Sequence, residues 1–114
     1  MATFMLAKLK LKYGIQNLNQ YNEAMKDVRD FFERGGARLA HGLVTRVGPL
    51  YEVWNLWEVE DQGHVERIFE QVRSGQIQPH HIAAHLKLQE IVIEEEVRFL
   101  EALPFSLEDG AKAA

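Results

Sequence analysis

Two histidines stand four residues apart in the run Pro79-His80-His81-Ile82-Ala83-Ala84-His85. On a helix that spacing puts His81 and His85 on one face. Paired imidazoles suit two chemistries. Histidine exchanges a proton near neutral pH, which fits general acid or base work. It is also a common ligand for transition metals. The string HIAAH has the histidine spacing of a zinc-protease helix, but Ile82 stands where the glutamate base belongs, so that reading fails. A metal site of another kind needs a third ligand, from His41 or Glu96. The plain alternative is a pair of histidines on a partly exposed helix.

His41 alternates with Leu39 and Leu43, so it is expected on an apolar strand face. There it is either a hydrogen-bonded core residue or a catalyst. If that face lies under the helices, His41 meets His81 and His85, and this convergence is the sharpest catalytic hypothesis. Asn55 shares a strand face with Tyr51, Val53 and Trp57. Its amide both donates and accepts, so it can orient a substrate oxygen or make a cross-strand bond. Glu96 shares a face with Arg98 and Leu100. It is either a carboxylate with a raised pKa or the partner of Arg98 or Lys8. Tyr51, Trp57 and Phe32 are the aromatic candidates for lining a substrate pocket.

These groups need elements to hold them. Residues 3–12 alternate apolar and lysine positions and read as a strand. Asn17, with Gln20 three residues on, marks a capped helix start. Leu18, Tyr21, Met25, Val28 and Phe32 continue that helix to Gly35-Gly36. Residues 37–47 and 50–59 read as a hairpin broken at Gly48-Pro49. Val65, Ile68, Phe69 and Val72 mark a second helix, closed near Ser74-Gly75. Pro79 opens a third, with Ile82, Leu86 and Gln89 on its packed face. Residues 91–103 mix β-branched residues with three glutamates, and alternation through Glu96–Leu100 predicts a last strand, ended by Pro104.

Strand, helix, strand, strand, helix, helix, strand is the split βαβ pattern. The expected fold is α+β, a ferredoxin-like βαββααβ domain over residues 1–106 with a four-stranded antiparallel sheet. Residues 107–114 read as a disordered tail. Strand three is apolar on both sides, so the face opposite the helices needs cover, and a homodimer packed sheet on sheet is expected.

Composition narrows the partners. The 114 residues carry a net charge of −4 without a basic block, so neither nucleic acid nor an anionic membrane is expected. There is no cysteine, which excludes disulfides, thiolate metal sites and cysteine catalysis. No apolar run spans a bilayer and the start lacks a signal-peptide core, so a cytoplasmic location is expected. No phosphate-binding glycine loop and no GxSxG elbow is present.

The segments GGARLAHGLVTRVGPLYEVWNLWE and EEEVRFLEALPFS resemble the NIPSNAP family of dimeric α/β-barrel proteins. The resemblance rests on Gly48-Pro49-Leu50 leading into Leu56-Trp57, and on Glu96 followed by Leu103-Pro104-Phe105-Ser106. It implies a ligand between sheet and helices. The wider superfamily includes cofactor-independent monooxygenases, haem-handling enzymes, dehydratases, isomerases and cyclases. The chain departs from the family pattern at Asn55 (usually His), Ala7 (usually Arg), His80-His81 (usually Glu-Trp) and His85 (usually apolar).

Together these readings predict an enzyme without cofactor or resident metal, acting on a hydrophobic small molecule. The chemistry expected is histidine-assisted proton transfer: isomerase, lyase, dehydratase or cofactor-free monooxygenase. A non-catalytic small-molecule-binding homodimer and a haem- or metal-binding protein are the alternatives.

Overall fold

The computed structural model describes residues 2–75 and 77–106 of the chain. The tail expected at residues 107–114 lies outside the described residues. Strand β1 (Thr3–Leu11) is followed by helix α1 (Ile15–Arg34), strands β2 (Arg38–Val44) and β3 (Glu52–Val59), helices α2 (His64–Arg73) and α3 (Pro79–Ile91), and strand β4 (Val92–Glu101). The sheet order is β2-β3-β1-β4 and every neighbouring pair is antiparallel. This is the ferredoxin-like arrangement that the element order predicted.

Alternation in the two central strands decides which face takes the helices. Met5, Ala7, Leu9 and Leu11 of β1 are buried, with Val53, Asn55, Trp57 and Val59 of β3. Helix α1 lays Ala24, Val28 and Phe32 on that face. Ala84 of α3 joins the same cluster, and small side chains at 24 and 84 let α1 and α3 approach closely.

Four local expectations are corrected. Helix α1 starts at Ile15 after Gly14, and Asn17 does not cap it. The Asn17 amide instead donates to the carbonyls of Lys12 and Tyr13, tying the loop to the helix. Strand β4 begins at Val92, directly after α3, because its pairing with β1 outweighs the helical preference of the glutamates. Helix α3 turns the other way from the expected stripe: Ile82 and Leu86 are exposed, while His81, Ala84 and Ile91 are buried. Last, β2 carries a bulge. Leu39 pairs with Trp57, but His41 pairs with Leu56, so Ala40 is an extra residue. The bulge reverses the alternation, and His41 falls on the outer face with Leu56.

One histidine that the sequence reading passed over is structural. His64 is buried at the start of α2. Its Nδ1 accepts from the Glu60 N–H at 2.9 Å, so its Nε2 carries the hydrogen and donates to the Gly35 carbonyl at 2.8 Å. The ring fastens the end of α1 to the loop after β3. His64→Ala orphans both backbone groups and should lower unfolding stability by about 1–3 kcal/mol for each, read by urea denaturation.

Candidate functional site

A cavity of about 450 Å³ lies between the sheet and the helices. Its floor is centred on two small residues of the central strands, Asn55 and Ala7. Gly42 pairs with Asn55, Asn55 with Ala7, and Ala7 with Val97. The row on one side is Leu39, Trp57, Met5 and Phe99, and on the other Val44, Val53, Leu9 and Glu95. Large neighbours hold the helices off the sheet, and the small central pair leaves space beneath them. Phe32, Phe69, Met25, Val28 and Leu88 supply helix-side walls. The polar groups that line the space are Asn55, His85, Gln89 and Glu95.

His85 is held in one tautomer. Its Nδ1 lies 2.8 Å from the His81 carbonyl oxygen, one turn earlier on α3. A carbonyl only accepts, so Nδ1 carries the hydrogen and the neutral ring keeps its lone pair on Nε2. The ring is flanked by Phe31 and Phe69, at centroid distances of 5.4 and 6.3 Å. These contacts leave an oriented base in an apolar wall.

Asn55 is also fixed. Its Nδ2 donates to the Tyr21 hydroxyl oxygen at 2.7 Å, and both residues are buried. The second amide hydrogen and Oδ1 have no partner among the described residues. Gly42 lies across the strand pair from Asn55, where a Cβ would make only an ordinary contact, 3.6 Å from Asn55 Oδ1. Burial pushes the Tyr21 hydroxyl up to about 12; the Asn55 hydrogen bond opposes this and the Glu95 charge adds to it.

The expected residues divide into four groups. His85, Asn55, Trp57 and Phe32 come together around the cavity. His81 sits behind it, buried against Asp30, with Nε2 donating to Oδ2 at 2.7 Å. His41 and Glu96 lie on the opposite sheet face, so the expected convergence of His41 with His81 and His85 does not form. The bulge explains His41. Glu96 pairs with Lys8 on that face, with Nζ 3.4 Å from its carboxylate, so the ion-pair reading is the one realised. Tyr51 precedes β3 in a left-handed conformation (φ 64°) and packs edge-on against Tyr13, 5.0 Å away, apart from the cavity. Neither His41 nor Glu96 joins His81 and His85 as a third metal ligand.

Three contributors went unnoticed in the sequence. Glu95 pairs with Leu9 and reaches the cavity, while Glu94 and Glu96 face outward. Its alternation with Val97 and Phe99 was the available signal. Tyr21 sat in the helix stripe, and nothing local marked its hydroxyl as a partner for Asn55. Asp30, on α1, holds His81 and is in turn held by Arg34 at 2.9 Å. The His81 hydrogen bond keeps the Asp30 carboxyl below the usual carboxylate range; desolvation opposes it, and the Arg34 hydrogen bond and charge add to the lowering.

No protein-family model and no curated protein matches the sequence. Solved structures match in shape. A NIPSNAP family protein with unknown function from Agrobacterium tumefaciens superposes with a TM-score of 0.75 at 12% identity, over 91% of this chain and 90% of that one. A NIPSNAP-like domain protein from Burkholderia xenovorans gives 0.70 at 19% identity, over 91% and 87%. SnoaB, a cofactor-independent oxygenase from Streptomyces nogalater, gives 0.63 at 12% identity, over 90% and 93%. The chain therefore has the NIPSNAP, dimeric α/β-barrel type of fold. Among the described residues no helix is long and apolar enough to cross a membrane.

The Tyr21 shift has a sign that can be tested. Its folded pKa lies above the unfolded value of 10.0, so the folded chain holds that proton more tightly. The stabilisation is complete below pH 10 and is lost as pH rises through about 12. The melting temperature should fall across that window, as unfolding free energy drops by about 2–3 kcal/mol at full deprotonation. Tyr21→Phe should flatten this part of the pH profile.

Proposed function

We propose that this chain of NIPSNAP fold is a small enzyme that binds an apolar molecule between sheet and helices and moves a proton on it with His85, without an organic cofactor. The observation that carries this reading is the Nδ1 bond of His85 to the His81 carbonyl, which leaves Nε2 as a base in the apolar wall. Nε2 takes a proton from a carbon or hydroxyl acid beside a ligand oxygen. The free N–H of Asn55 stabilises the negative charge that develops on that oxygen. The imidazolium is stabilised at Nδ1 by the carbonyl, and Glu95 supplies negative charge on the same cavity. Returning the proton to another atom gives isomerisation, or elimination if a leaving group departs. A ligand anion that is rich in electrons can instead react with oxygen, as a cofactor-independent oxygenase of the same fold suggests.

The test pairs binding with hydrogen exchange. A panel of neutral apolar ketones and phenols is screened by NMR for binding, then for exchange of carbon-bound hydrogen with deuterated water, with oxygen uptake followed in parallel. His85→Ala should slow exchange or uptake by about 10²–10⁴-fold while ligand still binds. Ala7→Leu, which adds bulk to the small central pair, should block binding and leave the fold intact. Binding without exchange or uptake in the unaltered protein would instead assign a non-catalytic binding protein.

We also propose a homodimer built on the outer sheet face. Leu6, Trp54 and Leu56 stand there half-buried, Leu43 and Leu100 are exposed, and the cations Lys8 and Arg98 lie beside the anions Glu52 and Glu96. A face that carries both signs around an apolar centre can match a two-fold copy of itself. Sedimentation should give twice the chain mass, and Leu6→Glu should shift it to the monomer. A monomer in the unaltered chain removes this proposal.

A further inference from the structure

Away from the cavity, α1 and the start of α3 bring three ligand-type side chains together. Asp30 Oδ2 lies 2.7 Å from His81 Nε2 and 3.7 Å from His80 Nε2. One donor atom of each residue lies within 4.8 Å of the other two. We propose that Asp30, His80 and His81 bind a divalent transition-metal ion of the zinc class.

The donor set selects the ion. Two imidazole nitrogens and one carboxylate oxygen suit zinc, nickel or copper, whereas magnesium and calcium take oxygen ligands. Zinc bonds of about 2.0–2.1 Å in tetrahedral geometry put neighbouring donors roughly 3.3 Å apart. The two contacts to Asp30 lie on either side of that value, so small rotations of the exposed groups complete the site. His80 is exposed, which gives an ion an entry path and leaves water as the fourth ligand. His81 is the fixed point: it is 2% exposed and packs on Phe31 at 5.4 Å.

His81 turns Nε2 into this cluster; its Nδ1, on the far side of the ring, is buried without a hydrogen-bond partner among the described residues. On metal binding, a neutral ring moves its proton from Nε2 to Nδ1 and no proton leaves the protein. The same holds for His80 if its proton starts on Nε2.

Two positive features oppose a cation here. Arg34 holds Asp30 Oδ2 at 2.9 Å, and the N-terminal end of α3 carries positive dipole charge. Arg34 is exposed, and a surface pair four residues apart on a helix is weak, so an ion can displace it. Asp30 supplies the negative charge of the cluster, which makes it indispensable to the site. The proposal is independent of the His85 mechanism, because His85 is not a ligand.

Calorimetric titration of the chelator-treated full chain with zinc, and separately with nickel, tests it. One ion per chain should bind and raise the melting temperature, and magnesium should not compete. Asp30→Asn and His80→Ala should each weaken binding at least tenfold. Arg34→Ala should tighten it severalfold, a gain that a purely structural ion-pair network would not produce. His41→Ala, on the other sheet face, should change nothing. His81→Ala removes a buried ring and so confounds binding with folding; the exposed His80 carries the decision. Absence of saturable binding, or binding indifferent to Asp30→Asn and His80→Ala, overturns the proposal.

Discussion

The cavity depends on one constraint, the small pair Ala7 and Asn55 on the central strands, flanked by Met5 and Trp57 on one side and Leu9 and Val53 on the other. In a sheet, side chains directly across from one another share a face and sit about 4.5–5.5 Å apart. A pair lacking bulk therefore leaves a hollow, while the pairs beside it prop the helices up. Close packing would normally close such a space. Here Trp57 and Phe32, with ring centroids 4.9 Å apart, brace one side.

The polar groups are then held from behind. Tyr21 fixes Asn55 from α1, and the His81 carbonyl fixes the tautomer of His85 from within α3. Each supporting contact is itself buried or half-buried, where a hydrogen bond is harder to replace by water. Asp30 anchors the residue whose carbonyl orients His85, so α1 braces both Asn55 and His85 through different side chains.

His64 and His81 illustrate how similar residues take different roles. His64 uses both ring nitrogens on backbone groups and stitches two loops together. His81 uses one nitrogen and leaves the other without a partner among the described residues. Residue type alone does not separate these roles; the partners at each nitrogen do.

Local patterns in the sequence determined the element order, the antiparallel hairpin, the helix stops at Gly35-Gly36 and the inward stripe of β1 and β3. Period-two and period-3.6 patterns report these directly, because each depends on neighbours a few residues away. The place of Asn55, Trp57 and Phe32 around one space was legible for the same reason. Only the tertiary structure decided which histidines meet. A single extra residue at Ala40 moved His41 to the far face, and no periodicity marks a bulge that is set by pairing across strands. The buried face of α3 depended on where α1 could approach closely, at Ala24 and Ala84, and not on the apolar positions Ile82 and Leu86. Glu95 rather than Glu96 reached the cavity because register with Leu9, a long-range fact, fixed the parity of β4. The Asp30 contact to His81 joins residues 51 apart in sequence, beyond the reach of any local spacing rule.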